Sequence, residues 1–237
     1  MVNGEFKMTA ANLLTIHHNG FSLRINYEPM TVAILADALL KQELLAKKLP
    51  EGITVVWADS MRALTIADAD VYIDLLFEPD VERTQHLKRL LPKPVIVHSV
   101  SYTTKKTGAD LIRINAWPGL LQRPVIEVAL PPAMNEAIVK DIFAQLQWNY
   151  VVAPDITGMI TARVLAAIIN EAYFTLGAQV STREEIDIAM KLGTSYPYGP
   201  FEWAEKIGLK RIYELLVELS KEDKRYTPAP LLVQEVG

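Results

Sequence analysis

The side chains able to move a proton or hold an anion fall at a few places in the chain. His98 sits in the apolar run Val95–Val100, and Ser99, Ser101 and Tyr102 follow it. Open α/β sheets bind ligands at the carboxyl edge of their strands, so an imidazole among hydroxyls there could serve as a general base. The same histidine could instead be bonded to a neighbouring loop and do no chemistry. Lys105-Lys106, after Thr103-Thr104, carry charge suited to a phosphate, although two adjacent lysines also suit a solvated loop. His17-His18 precede a turn, where strand pairing explains them better than chemistry, and His86 falls on a polar-faced helix.

A dinucleotide would ask for something specific. A doubly wound sheet holds the pyrophosphate at the turn between its first strand and first helix. Three glycines, spaced G-x-G-x-x-G, make the turn tight, admit the phosphates and let helix pack on strand. This chain reads Ala36-Asp37-Ala38-Leu39-Leu40-Lys41, so all three are replaced. Asp37 also puts a carboxylate where an anion would sit, which suits a helix cap. Asp59, about 20 residues further on, matches the acidic residue expected to bind an adenosine ribose. Its other reading is a solvated strand-end aspartate.

The elements that must position these groups are legible as alternation. Thr31–Leu35, Ile53–Trp57, Val71–Phe77, Val95–Val100, Leu111–Ala116 and Val125–Leu130 read as strands. Helical patterns cover Asp37–Lys48, Val81–Leu91 and Met134–Gln147. Runs apolar on both faces belong in a parallel sheet covered by helices on both sides. Ahead of them, Leu13–His18 and Phe21–Ile25 flank Asn19-Gly20, a hairpin turn signal. From Pro154 the pattern turns helical: Ile160–Leu176, then a helix opened by a Ser181–Glu184 capping box and stopped by Gly193, then Leu209–Leu219 before an irregular tail. The expected organisation is an added hairpin over 1–29, a Rossmann-like α/β domain over 30–153 and a helical domain over 154–237.

Composition narrows the class. Of 237 residues, 50% are hydrophobic and 22% charged, enough for a sizeable core and too little charge for disorder. A net charge of −4 argues against a nucleic-acid or anionic-membrane partner. The absence of cysteine removes thiolate nucleophiles and Cys-ligated metals, and no metal is expected. The longest uncharged stretch, Met8–Leu23, is broken by Asn, His and Gly and suits neither a membrane span nor a signal core. The expectation is a cytoplasmic globular protein.

Ile186-Asp187-Ile188-Ala189-Met190-Lys191-Leu192-Gly193, followed by Tyr196-Pro197-Tyr198-Gly199-Pro200-Phe201-Glu202, resembles the signature of 3-hydroxyacyl-CoA dehydrogenases. Arg225–Leu232 and Asn170-Glu171-Ala172 are similar to that family's pattern as well. In the first half, Asp68-Ala69-Asp70 with Ile73 and Phe77-Glu78 resembles its third-strand segment. The resemblance implies a Rossmann domain that binds NAD, with Asp59 and Glu78 as cofactor-binding candidates. It also implies a helical domain that forms a homodimer, and oxidation of an acyl-CoA 3-hydroxyl. A histidine would be the base, a glutamate would orient it, and serine and asparagine would bond the reacting oxygen.

Matched position by position, Ile112–Trp117 lines up with the strand bearing the base, and Asn115 stands where the histidine belongs. The orienting glutamate is matched by Glu127. The substrate-facing asparagine is replaced by Ala162, beside a matching Arg163. The serine position falls on Tyr102 or, with a one-residue shift, on Ser101. The helical hairpin that follows the family's second strand and contacts CoA has no room between Asp59 and Val71. An amide cannot take up a proton at neutral pH. Loss of a positioned base costs about 10²–10⁴ in rate, and loss of a partner to the reacting oxygen about 10²–10³ more.

The expectation is therefore a dimeric scaffold or regulatory relative without turnover. One alternative is an active NAD-dependent dehydrogenase with a rearranged site, using Glu127 and a relocated base at His98. The other is a module that binds a nucleotide or an acyl-CoA without chemistry.

Overall fold

The computed structural model describes residues 6–9, 13–18, 21–26, 29–47, 49–132 and 134–237. Three short strands come first, β1 (Phe6–Thr9), β2 (Leu13–His18) and β3 (Phe21–Asn26). They form an antiparallel sheet of their own, in which His18 pairs with Phe21 and Leu13 with Asn26. The strands flanking the anticipated turn are thus paired, and Asn19-Gly20 itself lies outside the described residues. β1 adds a strand that the alternation of Phe6–Thr9 had not announced.

The main sheet holds β4 (Met30–Leu35), β5 (Ile53–Ala58), β6 (Val71–Asp74), β7 (Val95–His98), β8 (Ile112–Ile114), β9 (Val125–Ala129) and β10 (Asn149–Val152). Its order is β10-β9-β8-β7-β6-β4-β5. Helix α1 (Ala38–Ala46) follows β4, α2 (Met61–Ile66) follows β5, α3 (Val81–Lys88) follows β6, α4 (Thr104–Thr107) follows β7 and α5 (Glu136–Gln145) follows β9. In β4 the even residues Val32 and Ile34 pack with Leu40 and Leu44 of α1 and with Phe143 of α5. The odd residues Ala33 and Leu35 pack with Leu64 of α2 and Leu87 of α3 on the opposite face. Burial on both faces is why the run carries no polar alternation.

Five strands are parallel, as the apolar runs imply; the sheet as a whole is mixed. β9 runs antiparallel to β8, with Ile114 opposite Val128, and β10 is parallel to β9. The physical reason is the connection: residues 115–124 form turns and no crossover helix, and only an antiparallel neighbour can be reached that way.

The second half is helical: α6 (Thr161–Gly177), α7 (Arg183–Thr194), α8 (Pro200–Ile207), α9 (Leu209–Ser220) and α10 (Pro230–Val236). Their common core includes Leu165, Ile169, Tyr173, Phe201, Trp203, Ile212 and Leu216, and it reaches the sheet through Val100, Trp117 and Leu120. Three sequence expectations are corrected here. The capping box on α7 is Thr182 with Glu185, one residue later than Ser181–Glu184, and Ser181 Oγ donates to Glu185 at 2.7 Å. Gly193 lies inside α7, and Ser195 takes the left-handed φ of +56° that ends it. The tail is ordered: Pro230, at the first helical position, opens α10, whose Leu232 is buried.

The Gly/Pro cluster 196–202 shapes the turn between α7 and α8. Asp187 of α7 accepts from the Phe201 N–H at 2.8 Å and the Glu202 N–H at 3.2 Å, capping α8 from outside. Glu202 in turn accepts from the Gly199 N–H at 2.9 Å and pairs with Lys191. A Cβ on Gly199 would stand 2.2 Å from Asp187 Oδ1, so glycine is required there for space. Gly199→Ala is expected to lower stability by about 1–3 kcal/mol, measured by urea unfolding. The penalty should shrink in an Asp187→Ala background, and an equal penalty in both would show that the clash is not its cause.

Candidate functional site

The carboxyl ends of β4, β6, β7 and β8 open onto a cleft of about 810 Å³ whose far wall is the α8–α9 junction. From the sheet side it is lined by Asp37 and Leu39 at the start of α1, Leu76–Pro79 after β6, His98–Tyr102 after β7, and Ala116–Pro118 after β8. The far wall contributes Glu205, Lys206, Lys210, Arg211 and Glu214. Gly208, with φ of +97°, makes the sharp turn from α8 into α9.

Each sequence-derived candidate can be placed. His98 and Glu78 line this cleft together, with Ser101 and Tyr102 beside them. Asp59 is exposed beyond β5, accepts a hydrogen bond from Ser60 Oγ at 3.0 Å, and is not a lining residue. Glu127 is buried on β9, away from the cleft. Lys106 is 3.0 Å from Glu218 of α9, an ion pair between the two halves.

His98 is partly buried, and its Nδ1 accepts from the Ala116 N–H at 3.0 Å. The Ile114 carbonyl is 3.4 Å from the same nitrogen but already accepts from the Ser99 N–H at 3.2 Å. The shorter contact fixes Nδ1 as an acceptor, so the proton of the neutral ring sits on Nε2. Burial, with a smaller effect from the Arg211 charge, pushes the imidazole down to about 4. A neutral ring of this tautomer presents a donor to the cleft.

At the first turn, Asp37 is the N-cap of α1, and its Oδ1 accepts from the Leu40 N–H at 2.8 Å. A chain carboxylate thus takes a donor that a pyrophosphate would use. The Leu39 and Leu40 side chains stand in the same wall, where a glycine turn would leave the backbone bare.

Asn115 and Glu127 sit at a separate gap of only about 10 Å³, together with Arg123 and Thr161. Asn115 is buried; its Oδ1 accepts from the Trp117 N–H at 3.2 Å, and its Nδ2 has no partner among the described residues. Glu127 Oε2 accepts from the Ile160 N–H at 3.2 Å, and Oε1 from the Thr161 N–H at 2.7 Å and from the Thr161 hydroxyl. Since α6 has no side-chain cap of its own, Glu127 caps it from β9. Ala162 is fully buried in the helical core. Among the described residues, no group of three His, Cys, Asp or Glu could hold a metal ion, and no helix is long and apolar enough to cross a membrane.

Two supports were not read from sequence. Asp74, fully buried at the end of β6, receives two hydrogen bonds from Arg83, at 2.8 and 2.6 Å, and steadies the loop carrying Glu78. Arg113, fully buried on β8, donates to the Ser99 carbonyl at 3.1 Å and the Val100 carbonyl at 3.2 Å and pairs with Asp155. Charged residues inside apolar strands were the available signal.

A Rossmann-like sheet, its cleft roofed by a helical domain at the carboxyl edge, defines the class of two-part proteins built on a nucleotide-binding type of fold. Residues 158–236 match the 3-hydroxyacyl-CoA dehydrogenase C-terminal domain. Over 164 residues the chain is 44% identical to a 3-hydroxyadipyl-CoA dehydrogenase of Escherichia coli (strain K12), covering 68% of this chain and 30% of that one. Over 187 residues it is 40% identical to a 3-hydroxybutyryl-CoA dehydrogenase of Bradyrhizobium diazoefficiens, covering 72% and 64%. The fold resembles that of an (S)-3-hydroxybutyryl-CoA dehydrogenase from Ralstonia eutropha, with a TM-score of 0.68 at 21% identity over 87% of this chain and 93% of that one. The chain belongs to the 3-hydroxyacyl-CoA dehydrogenase family. It spans less than two thirds of those first two relatives.

Proposed function

We propose that this family member is a homodimeric scaffold or regulatory relative in the cytoplasm, without dehydrogenase turnover. The observation that carries the reading is the pairing at 115 and 127. The amide of Asn115 cannot take a proton, and the Glu127 carboxylate is committed to the first amides of α6. His98 does not replace the lost base, because its inward nitrogen already bears the proton. The first turn does not fit a pyrophosphate, since Asp37 occupies the α1 amide and no glycine opens the backbone. NAD affinity is therefore weak, and no hydride step is assigned to this chain.

The dimer reading rests on apolar residues that the fold leaves outside on α6 and α7: Val164, Phe174, Ile188 and Leu192, the last 82% exposed. The decisive experiment combines a steady-state assay with acetoacetyl-CoA and NADH, an NADH fluorescence titration and sedimentation. Expected are no turnover above background, no saturable NADH binding at micromolar concentration, and a dimer. Asn115→His should not restore activity. Turnover would overturn the non-catalytic reading, and a lone 26.5 kDa species would overturn the dimer.

A further inference from the structure

The polar groups of the cleft are arranged with a direction. At the sheet end stand Asp37 and Glu78, at the helical end Lys206, Lys210, Arg211, Glu205 and Glu214. Most of the basic groups are already engaged. The Lys206 ammonium lies over the Tyr198 ring, 5.0 Å from its centre, and its stem covers Gly119. Lys210 is 4.0 Å from Glu214. Arg211 gives one nitrogen to the Ile207 carbonyl at 2.9 Å and, among the described residues, shows no ion pair. His98 Nε2–H, oriented by the Ala116 contact on the opposite nitrogen, also has no partner among the described residues.

We propose that the cleft takes a small organic monocarboxylate with an apolar body. Its carboxylate lies between His98 Nε2–H and the Arg211 guanidinium, and its body runs along Leu39, Leu76, Phe77 and Pro118. Three physical features select this class. Two N–H donors, one of them charged, suit a carboxylate's two oxygens. Within a lining that also holds Ser99, Ser101 and Tyr102, the side chains of Leu39, Leu76, Phe77 and Pro118 supply apolar surface for a short chain. Carboxylates outnumber cations around the lining, so a polyanion such as a diphosphate is repelled while a single negative charge next to Arg211 is tolerated. The ligand's anionic end therefore sits at the α8–α9 junction, opposite the first strand–helix turn.

The test is calorimetric titration of the intact protein with hexanoate, hexan-1-ol and inorganic phosphate. Hexanoate should bind, and the alcohol and the phosphate should each bind at least about tenfold more weakly. Arg211→Gln and His98→Phe should each weaken hexanoate by about tenfold. Equal affinity for the alcohol or for phosphate, unchanged affinity in either variant, or no heat with hexanoate would overturn the site. Nitrogen-15 NMR of the wild-type histidines gives a check that needs no variant. The His98 ring should be the Nε2–H tautomer, its Nε2 resonance moving on hexanoate addition. An Nδ1–H tautomer would defeat the proposal outright. The site does not depend on absence of turnover: acetoacetyl-CoA reduction would overturn the preceding reading alone, and failure of hexanoate binding would overturn this one alone.

Discussion

Arg113→Met is expected to destabilise the protein by about 3–5 kcal/mol, the usual cost of breaking a buried ion pair by removing one partner. The arginine side chain is fully buried, and its guanidinium holds the Ser99, Val100 and Ile156 carbonyls as well as Asp155. Methionine fills much of the volume and supplies none of those donors. Asp155 keeps the Thr104 N–H, at 3.1 Å from each oxygen, and is 20% exposed, so part of its charge can be rehydrated. That places the cost toward the lower end of the range. Asp155→Asn should also destabilise, and the double variant should lose less than the sum of the two, because each single change strands the other group. Urea unfolding midpoints measure all three. A loss below about 1 kcal/mol for Arg113→Met would show that the buried network is not coupled to folding.

Acidification from pH 7 to pH 5 should remove about 2 kcal/mol of stability through His98 alone. Its imidazole is held at about 4 in the fold, chiefly by burial, against about 6.5 in an unfolded chain. As pH falls through 6.5 the unfolded chain takes up a proton that the folded one refuses, so stability falls until the pH reaches about 4 and levels off below. Asp155 acts in a different window. Burial works upward on its carboxyl, but the Thr104 and Arg113 hydrogen bonds hold it below its ordinary value. Its contribution is present above the unfolded carboxylate range and is lost only at lower pH. Comparing wild type with His98→Asn between pH 7 and 5 isolates the histidine. Parallel stability curves for the two proteins would mean that His98 is protonated as readily folded as unfolded.

Much of the sheet was legible because its strands are apolar runs, buried on both faces in β4 and still apolar in β5, an edge strand whose Thr54 and Val56 are exposed. Thr31–Leu35 and Ile53–Trp57 lie within β4 and β5, and the helical expectation Ile160–Leu176 differs from α6 by one residue at each end. β10 was missed, since Asn149–Val152 is a short edge strand with mostly exposed residues and no alternation to read. The α7 cap slipped by one because Ser181-Thr182 and Glu184-Glu185 offer the same chemistry in two registers, and only the packed helix chooses between them. The sheet-borne half of the cleft could be anticipated from strand ends, which is how His98 was found. Arg211 could not, because its place opposite His98 depends on how the α8–α9 turn docks over the sheet. Nothing local in Ile207-Gly208-Leu209 announces that docking.

Asp37 and Glu127 have a shared consequence for how this molecule stands alone. Each neutralises the positive pole of a long-range structural helix with a carboxylate drawn from the chain itself, Asp37 at α1 and Glu127 at α6. A nucleotide fold that relies on a guest's phosphates for that service is loosened when the guest leaves. This one carries its own counter-ions, so adding dinucleotide should leave its melting temperature where it was.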